Sequence, residues 1–153
     1  MACLTSPEPH RSFPVRRAII ALAIASASFV PWAASARDDV PPEIAARKNP
    51  ITELSDRDVR YMARQFKGKC ARCHGLDGSG GDADARDQPA LPADLTDADT
   101  MGERTDGQLF YQLLMGGGDR CAMPAFGPES DHGWSEEKIW RMVAYVRRLA
   151  ETK

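Results

Sequence analysis

Three stretches of the chain repeat apolar residues at intervals of three and four, the spacing that gathers one face of an α-helix. The first passes through Val59, Met62, Ala63 and Phe66 towards Gly68, and Ser55 followed by Asp58 resembles an N-cap with an acidic third position. The second bears Leu109, Phe110, Leu113 and Leu114 behind the cap residue Thr105, and Gly116-Gly117-Gly118 stops it. The third carries Ile139, Met142, Val143, Val146 and Ala150 behind Ser135, Glu136 and Glu137, with Arg147, Arg148 and Lys153 suited to the negative end of its dipole. Trp134, just before that cap, is placed to staple onto Ile139. Val and Ile together number seven after residue 36, and no alternating run of four or more occurs, so a substantial sheet is not expected. The predicted fold class is all-α.

The remainder reads as loop and leader. Residues 75–134 hold eleven of the twelve glycines, with Pro89, Pro92, Pro124 and Pro128, and loops this long in a compact domain wrap something or act. At the other end, Arg11, Arg16 and Arg17 precede an uncharged apolar run from Ala18 to Val30, then Pro31 and the small-residue site Ala34-Ser35-Ala36. This is the pattern of a secretory signal peptide cleaved after Ala36. A retained anchor is the alternative, since residues 18–36 are an uncharged run of 19 nearly long enough to span a bilayer; Pro31, the Ala and Ser content and the A-x-A ending favour cleavage. Cys3 lies before the apolar run, which excludes a lipoprotein site, and nothing around Arg16-Arg17 strengthens a twin-arginine reading. The expected organisation is a signal peptide at 1–36, an N-terminal extension at 37–54 and a helical domain at 55–153.

Composition narrows the class. The chain is 42% hydrophobic and 27% charged, an ordinary globular balance, and its 20 basic and 22 acidic groups leave a net charge of -2, with no basic footprint for nucleic acid. The charge is unevenly spread: residues 73–134 hold three basic and twelve acidic groups, whereas residues 37–72 hold nine and six and residues 135–153 five and three. The 117 residues left after cleavage bury only about two-thirds of their unfolded surface, so an internal cofactor would add to the core.

Cys70-Ala71-Arg72-Cys73-His74 is C-x-x-C-H, the attachment motif for c-type haem. Two thiols one helical turn apart can add to the two vinyl groups of one porphyrin, and the adjacent imidazole then reaches the iron from the same side. A redox-active C-x-x-C would need a preceding strand, which this Val- and Ile-poor chain lacks; a structural disulfide is also open; zinc would have only Cys121 and His132 to complete its ligands. For the second axial position of such an iron, the mature chain offers Met62, Met101, Met115, Met123, Met142, His132 and Cys121. Met62 and Met142 fall in apolar helix stripes and read as core, and Met101 and Met115 as filler or surface. Met123 differs, because it sits in a loop stiffened by Pro124 with glycines at both ends.

Phe66 four residues before Cys70, the Cys70 to His74 motif, the Gly-rich loop, Pro92-Ala93-Asp94-Leu95-Thr96, Met123-Pro124-Ala125-Phe126 and a terminal helix with Trp140 and Tyr145 together resemble a monohaem class I c-type cytochrome over roughly residues 55–150. The resemblance implies a small fold of three to five helices around one covalently bound haem c. It implies that Cys70 and Cys73 attach the haem, that His74 and Met123 are the axial ligands, and that a backbone carbonyl from the Pro89 to Pro92 stretch orients the His74 ring. Two departures stand out. Many members carry glycine eight residues before the first haem cysteine, where this chain has Met62, which implies a wider or shifted helix crossing. Cys121, two residues before Met123, is expected to pack as a small hydrophobe, the alternative being a redox-active or ligating thiol.

The function implied is periplasmic one-electron transfer by a non-enzyme, either as a free carrier or as the cytochrome subunit of an oxidoreductase. Its partners would be redox proteins, with a membrane or periplasmic oxidoreductase foremost, no nucleic acid, and a membrane only if the leader is retained. The competing reading is a His/Cys-ligated enzyme subunit acting on sulfur compounds such as thiosulfate. A gas-binding four-helix cytochrome fits less well, because its C-x-x-C-H lies near the C-terminus.

Overall fold

The computed structural model describes residues 40–80, 91–118 and 121–152. The leader expected at 1–36, with Cys3, and Pro89 lie outside the described residues. Among those described there are six α-helices and no strands: α1 Pro42–Ala45, α2 Asp56–Lys69, α3 Ala71–His74, α4 Ala98–Gly102, α5 Asp106–Met115 and α6 Glu136–Glu151. The three periodic stretches are α2, α5 and α6. Each starts where its cap predicts. The Ser55 hydroxyl accepts from the Asp58 N–H at 3.2 Å, Ser135 accepts from the Lys138 N–H at 3.3 Å, and Thr105 forms a full capping box with Gln108. Asp58 in turn accepts a 2.6 Å bond from the Ser55 hydroxyl, which holds its carboxyl below the usual carboxylate range. The helices α1, α3 and α4 have four or five residues each, too short to leave a periodic signature.

The core sits where α2, α4 and α5 meet α6. Met62 and Phe66 from α2 are buried with Ile139, Met142 and Val143 from α6, and the Phe66 ring lies 5.8 Å from that of Tyr145. Met62 is fully buried at the position where many class I cytochromes carry glycine, so a thioether side chain fills this contact. On the other side of α6, Phe110 of α5 stacks on Trp140 with centroids 4.2 Å apart. Trp134 is buried just ahead of α6, its ring 4.6 Å from that of Phe126. Side chains of this size each contribute roughly 1.5–3 kcal/mol on full burial. Met101 belongs to this core through α4, while Met115 is exposed at the end of α5.

Residues 40–54 lie across α5 and α6. Asn49 makes the tie to both: its N–H donates to Asp106 at 3.2 Å and its side-chain amide to the Trp140 carbonyl at 3.0 Å. Arg47 stands over the Phe110 and Trp140 rings at 4.8 and 5.1 Å and pairs with Glu136. The Thr105 hydroxyl donates to the Ala45 carbonyl at 2.6 Å. Where α1 crosses α5, a Cβ on Gly107 would stand 1.8 Å from the Ile44 carbonyl oxygen, so only glycine admits this approach. A second clasp comes from Arg147 of α6, which pairs with Asp106 at 2.9 Å and donates to the carbonyls of Met101 and Arg104.

Two helical glycines therefore have opposite expected responses to alanine. Gly68 has open space around it, with nothing within 4 Å of where a methyl group would stand, so Gly68→Ala gains helix propensity of about 0.5–1 kcal/mol. Gly107→Ala forces α1 off α5 and loses more than about 1 kcal/mol despite the same propensity gain. Thermal melts of the two variants should shift in opposite directions; a stabilised Gly107→Ala would contradict the α1–α5 contact.

Candidate functional site

The C-x-x-C-H segment is a junction between two helices. The Cys70 N–H still donates to Phe66 in the α2 ladder at 2.8 Å, while its carbonyl accepts from Cys73 at 3.1 Å and from His74 at 2.9 Å. Two thiols, both free, and the imidazole are thereby set within one turn. Gly75, at φ +78°, ends the turn, and the Gly80 N–H returns to the His74 carbonyl at 2.7 Å.

The reversal brings residues 91–96 beside the imidazole. His74 Nδ1 lies 3.1 Å from the Ala93 carbonyl oxygen, so the orienting carbonyl is one residue beyond the Pro89 to Pro92 stretch expected from the sequence. The Pro92 and Ala93 carbonyl oxygens both lie close to Gly80, 3.1 and 3.5 Å from where its Cβ would stand, and of the two it is Ala93 that meets the ring. A carbonyl only accepts, so Nδ1 carries the hydrogen and Nε2 keeps its lone pair. Burial pushes the His74 pKa below the usual imidazole value, against the opposing effect of the Ala93 bond, and the ring is neutral at pH 7. Burial, with Cys73 beside it, pushes the Cys70 thiol up to about 12. A redox-active C-x-x-C needs the opposite, a depressed thiol. Among the described residues no group of three or more His, Cys, Asp or Glu side chains is arranged to hold a metal ion, so the zinc reading lacks its further ligands.

The loop after α5 folds back on the helix that precedes it. Gly116 leaves α5 at φ +70°, and Gly117 N–H donates to the Met123 carbonyl at 2.8 Å. Phe126 and Gly127 then donate to the Leu113 and Leu114 carbonyls at 2.9 and 3.1 Å, satisfying the open end of α5. The return is tight. A Cβ on Gly116 would meet Ala125 N, Met123 O and Pro124 C at 2.6–2.8 Å, and one on Gly117 would stand 2.1 Å from the Cys121 sulfur. Cys121 is buried, in keeping with the packing role expected of it. His132 stacks on Phe126 with centroids 4.6 Å apart, so this imidazole belongs to the packing that anchors the loop.

Met123 is half-buried against the core, and its sulfur lies 3.5 Å from Nε2 of Gln112. The same nitrogen donates to the Gly116 carbonyl at 3.1 Å. Sequence reasoning missed Gln112, because a polar residue on a helix carries no signal until the loop has folded over it. Cys70 and Met123 both pack against the core cluster, and Cys73 and the oriented imidazole of His74 share the turn that Cys70 begins. That donor set, soft sulfur and neutral nitrogen with free thiols one turn apart, fits a covalently attached iron porphyrin.

The family model described as "Cytochrome C oxidase, cbb3-type, subunit III" matches residues 57–146. The chain belongs to this family. It is a class I c-type cytochrome domain, and membership implies haem c. Among solved structures, it is similar to a chain of the Kuenenia stuttgartiensis reducing HAO-like protein complex Kustc0457/Kustc0458, with a TM-score of 0.50 and 21% identity over 67% of this chain and 49% of that one. This chain thus spans about half the length of that neighbour. It is also similar to the KustC0563 c-type cytochrome, with a TM-score of 0.45 and 20% identity over 57% of this chain and 94% of the other. No curated protein matches. The small all-α cytochrome c fold agrees with the class expected from the sequence; the six helices described exceed the three to five expected because three of them are single turns.

The fold-back of the cytochrome's late loop predicts a contrast between neighbouring glycines. Gly118, at φ +56°, has open space around it, so Gly118→Ala costs only the backbone term of about 1–2 kcal/mol. Gly116→Ala adds collisions with three backbone atoms and should lower the melting temperature further and expose residues 121–127 to proteolysis. Equal effects of the two substitutions would show that the loop tolerates displacement.

Proposed function

We propose that this cytochrome is an exported electron-transfer protein with a single haem c, attached through Cys70 and Cys73 and held between His74 and Met123. The observation that carries this reading is the Nδ1 contact of His74 with Ala93, which fixes the ring and leaves Nε2 as its free donor in the same turn as two free thiols. Haem c, when bound, supplies a one-electron iron couple. His74 would hold the iron through Nε2, the nitrogen its Ala93 contact leaves unprotonated. Met123, on a loop locked by backbone bonds to α5, supplies a soft sulfur that favours the ferrous state and raises the potential relative to a second imidazole. With His74 and Met123 both holding the iron, the chain would leave no position there for a substrate, which supports electron carriage, as a free carrier or as the cytochrome subunit of an oxidoreductase. The leader pattern at 1–36 supports export to the periplasm, with cleavage after Ala36.

Expression in a host competent for cytochrome c maturation tests the assignment. The intact mass should equal residues 37–153 plus one haem that resists acid acetone, and the oxidised spectrum should show the methionine-to-ferric-iron charge-transfer band. Met123→Ala should abolish that band, admit cyanide and lower the reduction potential, while Cys121→Ser leaves band and potential nearly unchanged. A silent Met123→Ala with a spectral change in Cys121→Ser would transfer the ligand role to Cys121 and point to sulfur chemistry.

The docking partner should be basic. Residues 73–134 carry three basic and twelve acidic groups, a net -9, and among described residues the large apolar side chains left exposed are Leu76, Leu91 and Met115, all in that range. Association with a basic redox partner should slow with rising salt, by roughly one to three orders of magnitude if steering is strong. Rates that stay flat from low to high ionic strength would remove electrostatic steering from the account.

A further inference from the structure

We infer that Gln112 is a positioning residue for the Met123 sulfur, setting both its orientation and its strength as an iron donor. The inference rests on the proposed ligand role of Met123. One amide nitrogen of Gln112 faces two groups, the Gly116 carbonyl oxygen at 3.1 Å and the Met123 sulfur at 3.5 Å. Both are acceptors, so the amide has to present its NH2 here, and its two hydrogens match the two contacts. The side-chain oxygen would repel both.

A thioether sulfur has two lone pairs. Were one to bind iron, the other would be left for the amide hydrogen, and that bond restricts rotation about the last bonds of the Met123 side chain. This matters because methionine is unbranched and freely rotating, and the backbone bonds of the loop fix Met123 only as far as its carbonyl. Gln112 completes the fixation at the sulfur itself. The hydrogen bond also draws density from the sulfur, which weakens its donation more in the ferric state, where the iron demands more of it. The ferrous state is favoured, and the tie holds the sulfur against displacement. Because Gln112 stands on α5 at the turn before Gly116, the same amide joins the helix end, the glycine turn and the sulfur.

Gln112→Leu and Gln112→Ala both remove the donor without adding a charge. In the haem-loaded protein, both variants should keep the methionine-to-ferric-iron band, have a lower reduction potential than wild type, and bind cyanide to the ferric form faster, by about fivefold, the factor one net hydrogen bond is worth. Melting temperature alone would fall for any loss of the Gly116 contact and does not decide the matter; potential and cyanide rate do. If wild type shows the band and both variants match its potential and cyanide rate, Gln112 has no hold on the sulfur, while the ligand role of Met123 stands. A wild type without the band overturns the ligand role first and this inference with it. Should Gln112→Leu fail to retain haem, the Gln112→Ala protein decides by the same two readouts.

Discussion

The apolar stripe of α6 is the support on which the rest of the domain leans. Ile139, Trp140, Met142, Val143 and Val146 are all buried, and α2, α4 and α5 each rest on them. A sequence of this length has few ways to fill a core, and the stripe serves two sides at once. One side receives Met62 and Phe66, which lead by four residues into Cys70; the other receives Phe110, two residues before Gln112. The two halves of the site are thus held in relation to each other by one helix that contributes no proposed ligand.

From that frame outward, the site is built mainly by backbone. The imidazole is turned by the Ala93 carbonyl, the late loop is closed by Gly117, Phe126 and Gly127 amides, and the C-x-x-C-H turn is held by the Cys70 carbonyl. Glycines are needed where chain must touch chain, at Gly116 and Gly107, and in each case the missing Cβ is what permits the contact. Side chains enter at the edge of this scheme: Asn49 and Arg47 bind the N-terminal segment to α5 and α6, and Arg147 ties α6 to the turn before α5.

What can be read from the sequence is whatever is local. Ser55, Thr105 and Ser135 announce helix starts because a cap is made within three residues, and Cys70 to His74 announce their chemistry because the spacing is one turn. The sequence points to an orienting carbonyl one residue too early, since its choice depends on how residues 92–93 approach the reversal at residues 75–80, a contact between positions apart in the chain. Gln112 and the seating of residues 40–54 give no signal for the same reason: a lone amide and an aperiodic segment acquire meaning only after α5 and α6 have met. Gly107, likewise, stands out only once α1 is seated on it.

The contact between His74 and Ala93 has a consequence for heredity. Its acceptor is a main-chain oxygen, which every amino acid possesses, so no codon change at position 93 deletes the atom that turns the ring. The Met123 sulfur is held differently, by a side-chain amide that a single nucleotide can replace. One face of the site is therefore written in a part of the polypeptide that point mutation does not reach, and the other in a part that it does. Variation among descendants of this chain should accumulate on the sulfur side while the imidazole keeps its attitude.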